Sequence, residues 1–458
     1  MSYHPRRLRS GEMLSLAVVL CSMTVLVSGN PEGRPLSKSV STPFLISPAH
    51  AGYFRMGEAF LNPKSKMLVV FYWEDGTSRQ RVLSCRFDSL GNPVGSAHVI
   101  QELKAKSMSR MAVAYNAADD RYFLAGADRN SDCIRGQLVD GNGRSLHSNR
   151  AGGEEDWVVI KPATRRLSAQ DLKVGWIEAS NRYMAVWTYY DRGYFSNPKN
   201  GHYLTLLDGS LKATLKNKQV RHQVMRRKSY SIRTLIALED RILWGSAEDA
   251  ADYRAGSRPV VWFTDFKGSV LKSCAPTTGG FIYPCGTVPD ECSLFASHNP
   301  KDGLFLLHWN VIGSIALSEA KSAETQYRIM DERGQFKSSL KIAPKTQLYQ
   351  YRSLSGYLAS ENRFFLACLE YKSYDKASYY FWGGKLLGFY VNNTGGIEDK
   401  GGHPSTTPVS LLSYVMDTSC HVNFDALIPG VPDATLFAGY SIFQKNRRQQ
   451  TLWGLLLE

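Results

Sequence analysis

The sequence predicts an all-β fold built from about seven copies of one four-stranded unit, and three observations predict it. Helical periodicity is nearly absent from the 458 residues, while short apolar runs are punctuated by Asn-Pro, Asp-Gly and Gly-Asn pairs. Hydrophobic residues make up 43% and aromatic residues 12%, with 24 Tyr leading, which supplies a substantial core and excludes a disordered chain. Internal comparison finds one pattern returning every 55 to 70 residues or so: an apolar strand, a polar turn, a strongly apolar second strand, a loop, a third strand with a Gly or Asp turn, and a weaker fourth strand.

The copies follow in chain order. The first reads MGEAFLN, KMLVVFYWE from Lys66, RVLSCRFDSLGNP and SAHVI. The second reads MAVAYN, RYFLAGADR from Arg121, CIRGQLVDGNG and WVVIKP. The third has VGWIEAS, RYMAVWTYYD from Arg182 and HYLTLLDGS; the fourth IRTLIALED, RILWGSAED from Arg241 and VVWFTDFKGS. The fifth gives CSLFASHNP, GLFLLHWN from Gly303, QYRIMDERGQ and SLKIA, and the sixth LSGYLASEN, RFFLACLEY from Arg363 and GGKLLGFYVNNTGG. The seventh gives CHVNFDALI, ATLFAGYSIF from Ala434 and TLWGLLLE. The fourth and sixth copies have poor outer strands.

The second strands are apolar on both sides, which suits strands sandwiched between neighbouring sheets. Four strands per interval is the size of a β-propeller blade. The chain stops at Glu458 after the third strand of the last copy, and Pro43 to Ser47 can supply the missing outer strand, leaving no open edge. Tyr115-Asn116 followed by Tyr122-Phe123-Leu124 resembles the degenerate YN-x-x-x-x-x-YLVVW blade repeats of secreted β-propeller proteins. The resemblance covers essentially the whole chain after the leader and speaks for architecture, since such repeats occur in binding proteins and enzymes alike. Six blades are the alternative to seven, and a two-sheet sandwich array comes third.

Arg6, Arg7 and Arg9 precede the apolar run Leu14 to Val27, which ends at small residues up to Gly29. The run is too short for the roughly 20 residues that cross a bilayer, so residues 1–29 are read as a cleaved export signal and 30–458 as one propeller domain. The expected location is extracellular, or periplasmic in a bacterium. Losing three Arg and one Glu lowers the net charge from +14 to +12. That excess implies attraction to polyanions, acidic glycans or anionic surfaces, with nucleic acid set aside in an exported protein; the expected partner is an acidic polysaccharide or an extracellular protein, with no stable membrane insertion. Seven Cys remain, with Cys285–Cys292 and Cys368–Cys420 as disulfide candidates; the spacing lacks interleaved His and argues against a metal site. Asn392-Asn393-Thr394 is an N-glycosylation sequon.

In a propeller the turns between first and second strands are on one face, and the longer loops are on the other. Here the former are short, which directs function to the loop face. Its candidate binding residues are Tyr189, Tyr190, Arg192, Tyr194, Arg226, Arg227, Lys228, Arg254, Tyr349, Tyr351, Arg447 and Arg448. Aromatic platforms beside cations suit stacking on sugars and pairing with carboxylate or sulfate. For catalysis the polar residues on or next to first strands are the candidates: Glu58, Glu178, Glu239, Asp240, His298, Asp417, His421 and Asp425. No G-x-S-x-G, H-E-x-x-H, Walker or EF-hand series occurs, and no cofactor is expected. The leading expectation is a secreted binding propeller for acidic glycan or matrix; the rival is a glycoside hydrolase or lyase with channel-mouth carboxylates.

Overall fold

Strand pairing follows the order that the repeat predicts. The structure is a computed structural model. It describes residues 44–457 apart from 51–52, 77, 105–107, 129–132, 147–156, 162–166, 192–197, 223–231, 250–256, 278–293, 313–322, 347–348, 376–379, 413–419, 430–435 and 445–448. Among the described residues nearly all regular structure is strand, the exception being one 3-10 turn at Glu178–Ser180.

Strand β1 spans Phe44–His50. The first repeat forms an antiparallel sheet of β2 (Tyr53–Asn62), β3 (Met67–Asp75), β4 (Arg79–Phe87) and β5 (His98–Lys104), in that order. The second is β6 (Met108–Asn116), β7 (Arg121–Asp128), β8 (Cys133–Asp140) and β9 (Val158–Lys161). The third is β10 (Leu167–Ile177), β11 (Arg182–Asp191), β12 (Gly201–Leu207) and β13 (Ala213–His222). The fourth is β14 (Thr234–Ala237), β15 (Ile242–Asp249), β16 (Ser257–Thr264) and β17 (Val270–Cys274).

The fifth repeat, β18 (Phe295–Asn299), β19 (Leu304–Ile312), β20 (Ala323–Asp331) and β21 (Lys341–Ile342), joins the sixth through one parallel pair, Ala323 beside Tyr349. The sixth holds β22 (Tyr349–Leu358), β23 (Arg363–Asp375) and β24 (Tyr380–Val391), whose outer edge carries two short strands, β25 (Ile397–Glu398) and β26 (Val409–Leu412). The last sheet contains β27 (Cys420–Pro429), β28 (Leu436–Gln444) and β29 (Gln449–Leu457), and its fourth member is β1, antiparallel to β29 with Leu45 opposite Trp453. The first strands touch in chain order, β2 with β6, then β10, β14, β18, β22 and β27, and β27 also touches β2.

Two-sided burial of the second strands explains their composition. In β7, Tyr122 and Leu124 join Val69 and Phe71 of the first repeat, whereas the alternate residues Phe123 and Ala125 join Tyr183 and Ala185 of the third. Trp187, Trp244 and Trp309 fill the equivalent layers and are fully buried, each worth on the order of 1.5–3 kcal/mol of transfer free energy.

Antiparallel order puts the turn between first and second strands and the turn between third and fourth strands at one end of every sheet. The second of these turns is built six times from one design. Asp88, Asp140, Asp208, Asp265, Asp331 and Asn392 each accept, through Oδ1, the N–H four residues on, at 2.7–2.9 Å. The residue three positions after the acid has positive φ: Gly91, Gly143, Leu211, Gly268, Gly334 and Gly395. Glycine serves there for its left-handed freedom, and also for space, since a Cβ on Gly143 would stand 2.5 Å from Ser84 Oγ of the preceding repeat.

Candidate functional site

The loop end of the sheets is where the sequence expects binding. Arg192, Tyr194, Arg226, Arg227, Lys228, Arg254, Arg447 and Arg448 lie outside the described residues. Tyr190 and Tyr351 lie on β11 and β22, with their side chains outside the description. Tyr189 is buried, with Lys161 Nζ 4.9 Å over its ring and the edge of Tyr203 at 5.5 Å. Tyr203 stacks on Trp187 at 6.0 Å and donates from its hydroxyl to Lys199 O at 2.8 Å; burial, with Tyr189 nearby, pushes the phenol up to about 12. Both faces of the Tyr189 environment are thus taken by packing between the second and third repeats, which is the role of a cap on the sheet rather than an open platform. Tyr349 is half-buried against the core of the fifth and sixth repeats.

A small cleft opens at the same end between the first two repeats, lined by Leu103, Met108, Gly126, Ala127, Asp128, Arg135 and Trp157. Arg135 and Asp128 bring one charge of each sign to a rim that is otherwise apolar.

Below the loop end of the fifth and sixth repeats runs a buried polar chain that the sequence did not single out. His308 Nδ1 lies 2.8 Å from Ser353 Oγ, which donates to Asn310 Oδ1 at 3.4 Å, and Asn310 Nδ2 donates to Thr325 Oγ1 at 2.9 Å. Gln350 accepts from Thr325 N at 3.1 Å, and Glu370 accepts from Thr346 N at 2.8 Å. His308 is fully buried, and burial holds its imidazole down at about 3, so it is neutral at any physiological pH. A histidine beside a serine suggests nucleophilic chemistry, but Ser353 is 1% exposed and His308 0%, so no substrate reaches them. The signal in sequence was the polar interruption of apolar second strands, LLHWN and ACLEY.

Of the first-strand acids, Glu58 pairs with Lys173 Nζ at 3.0 Å, joining β2 to β10 across the second repeat. Glu178 is in the exposed 3-10 turn and Glu239 and Asp240 in the turn between β14 and β15, where Asp240 pairs with Arg241 at 2.6 Å. His298 lies 2.8 Å from Glu332 Oε1 and stacks on Phe305. The side chains of His421 and Asp425, and all of Asp417, lie outside the described residues. Among the described residues no group of three His, Cys, Asp or Glu could hold a metal ion.

Cys368 is a free thiol, fully buried on β23, and burial pushes it up to about 12 despite a hydrogen bond with Thr325, while the side chain of Cys420, its expected partner, lies outside the described residues. Cys85, Cys133 and Cys274 are also free, and Cys285 and Cys292 lie outside the described residues. Asn392 closes its turn, its Nδ2 donating to Glu398 Oε1 at 2.6 Å.

No family model matches the chain, and no curated protein matches it. Solved structures similar to it include the β-propeller domain of the trilobed protease from Pyrococcus furiosus, at 9% identity and TM-score 0.44, covering 90% of this chain and 94% of that one. Oligogalacturonate lyase in complex with manganese is similar at 10% identity and TM-score 0.49, covering 92% and 94%. Prolyl oligopeptidase B from Galerina marginata is similar at 8% identity and TM-score 0.43, covering 86% of this chain. The chain spans about half the length of that enzyme, 47%. At these levels of similarity nothing of their chemistry carries over. Among the described residues no helix is long and apolar enough to cross a membrane.

Proposed function

We propose that residues 30–458 form one seven-bladed β-propeller domain, closed by β1 on β29, and that it works outside the cell as a binding module for anionic glycans. Support for the closed ring comes from the cyclic contacts of the first strands and from the β1–β29 pairing. Export through residues 1–29 belongs to the same proposal, as does glycan attachment at Asn392.

One observation carries the binding reading: basic residues outnumber acidic ones, and many of the acids are tied to turns or to single partners. Asp88, Asp140, Asp208 and Asp265 close turns. Glu58, Glu74 and Glu361 are paired with Lys173, Arg81 and Arg363, and Glu370 holds Thr346. With 55 Lys and Arg against 41 Asp and Glu, the chain carries a net charge of +14, which attracts polyanions.

Purified protein is expected to be retained on sulfated and carboxylated glycans and not on neutral ones, to elute with rising salt, and to leave each glycan at its original length. Retention indifferent to salt and charge would refute the binding reading. Shortened products would instead favour the enzyme reading, with acids at the channel mouth.

A further inference from the structure

We propose that the glycan-binding surface is the outer rim of the third to fifth repeats at the turn end of the sheets, and that its ligand is a linear polysaccharide bearing sulfate or carboxylate groups, lying along that rim. This rests on the reading of the protein as a polyanion-binding module and gives that reading a place, on the end opposite the long loops.

The rim is assembled by the recurring turn between third and fourth strands. In the fourth repeat this turn packs on β13 of the third, so that a Cβ on Gly268 would stand 3.0 Å from Lys218 Cγ. In the fifth repeat it packs on the fourth: Lys272 Nζ on β17 donates to Arg333 O at 2.6 Å, and Gly334 lies against the Lys272 stem. The packing therefore joins Lys216 and Lys218 of β13, Lys267 and Lys272 around β17, and Arg333 and Lys341 around β21 into one band. All six are exposed, and among the described residues none is in an ion pair. Lys337 in the same band is neutralised by Asp331 at 2.9 Å and is set aside. The acids of the same turns bind elsewhere: Asp208 and Asp265 accept from their own turns and Glu332 holds His298, so among the described residues none forms an ion pair with the six cations.

Lysines on edge strands also discourage edge-to-edge pairing, and that role alone would place them on every outer strand. The outer strands of the other repeats differ. β9 exposes Val158 and Val159 and buries its Lys161, β5 ends in Lys104 but sets Glu102 against Arg79 at 2.8 Å, and β26 reads VSLL. On the third to fifth repeats the packing of each turn on the repeat before it sets the cations of neighbouring outer strands side by side, as an extended anionic ligand requires. Sheets stacked about 10 Å apart put successive clusters at steps that a linear polymer can follow. A band on the outer edges of successive sheets favours a flexible chain over a flat bilayer.

The test titrates a soluble heparin-type oligosaccharide against three forms of the full-length protein: wild type; Lys216→Gln with Lys218→Gln, Lys272→Gln and Lys341→Gln; and Arg226→Ala with Arg227→Ala, Arg447→Ala and Arg448→Ala. Glutamine keeps most of the lysine stem, and circular dichroism with thermal unfolding checks that each variant folds. The rim variant is expected to bind about ten-fold or more weakly with a shallower salt dependence, while the loop variant stays within about three-fold of wild type. Weakening by the loop variant alone overturns the rim assignment and leaves the binding reading standing. Wild-type protein that binds no sulfated or carboxylated glycan even at low salt overturns both. Tighter binding to phosphatidylserine vesicles or duplex DNA than to the oligosaccharide overturns the ligand class.

Discussion

His308 shows how a single buried side chain makes the fold sensitive to pH. Its imidazole is held at about 3 because burial penalises the charged form, against about 6.5 when the chain is unfolded. Between those values the unfolded chain binds a proton that the folded one does not, so this residue's contribution to stability is complete above about pH 6.5 and is lost as the pH falls toward 3. Urea unfolding is expected to show about 2 kcal/mol less stability at pH 5 than at pH 7 from this group. His308→Gln should remove that component of the pH dependence while keeping a polar partner for Ser353. An identical pH slope in variant and wild type would show that the imidazole is protonated in the folded protein.

At the scale of the turn, the asparagines that end first strands hold neighbouring repeats together. Asn62 is fully buried; Oδ1 accepts from Lys64 N at 2.9 Å and Ser65 N at 3.0 Å, while Nδ2 donates to Asp120 Oδ1 at 2.7 Å and Gly141 O at 3.0 Å in the second repeat. Asn299 repeats the device, donating to Asn393 Oδ1 of the sixth repeat at 3.1 Å and accepting from Lys301 N at 3.0 Å. Asn62→Ala leaves the buried Gly141 carbonyl and Asp120 of the second repeat and the Lys64 and Ser65 N–H groups of the first without this partner and is expected to cost about 2–3 kcal/mol in denaturant unfolding. Asn142→Ala loses one exposed bond, from Arg86, and should change stability by less than about 0.5 kcal/mol. Equal effects of the two substitutions would remove the argument for a latch between repeats.

Over the whole molecule, the strands were legible where burial is two-sided, because no solvent face dilutes the apolar run: β3, β7, β19 and β23 lie where the sequence places them. Outer strands were harder to read. β13, ATLKNKQVRH, pairs along β12 yet presents an alternation of lysines to solvent, a pattern that composition alone assigns to a loop. The cationic rim was invisible for a related reason. Its members are spread over more than a hundred residues and meet only because each turn packs on the repeat before it. The loop-face candidates were chosen by loop length and residue type, and Tyr189 shows the weakness of that criterion, since an aromatic ring at a strand end caps the core as readily as it meets a ligand. The decisive long-range contact is β1 with β29, which brings residues some four hundred positions apart into register, with His50 opposite Gln450. Cysteines at these two polar positions are expected to form a disulfide on mild oxidation. In the chain-entropy description a loop of that length stabilises by roughly 5–6 kcal/mol, less any strain in the bridge. The oxidised His50→Cys, Gln450→Cys protein should therefore unfold at clearly higher urea than its reduced form, while each single variant responds to oxidation no more than wild type. Failure of the pair to cross-link would mean that β1 does not rest on β29 in solution, and the last sheet would then present β29 as an open edge, with the association between chains that such an edge invites.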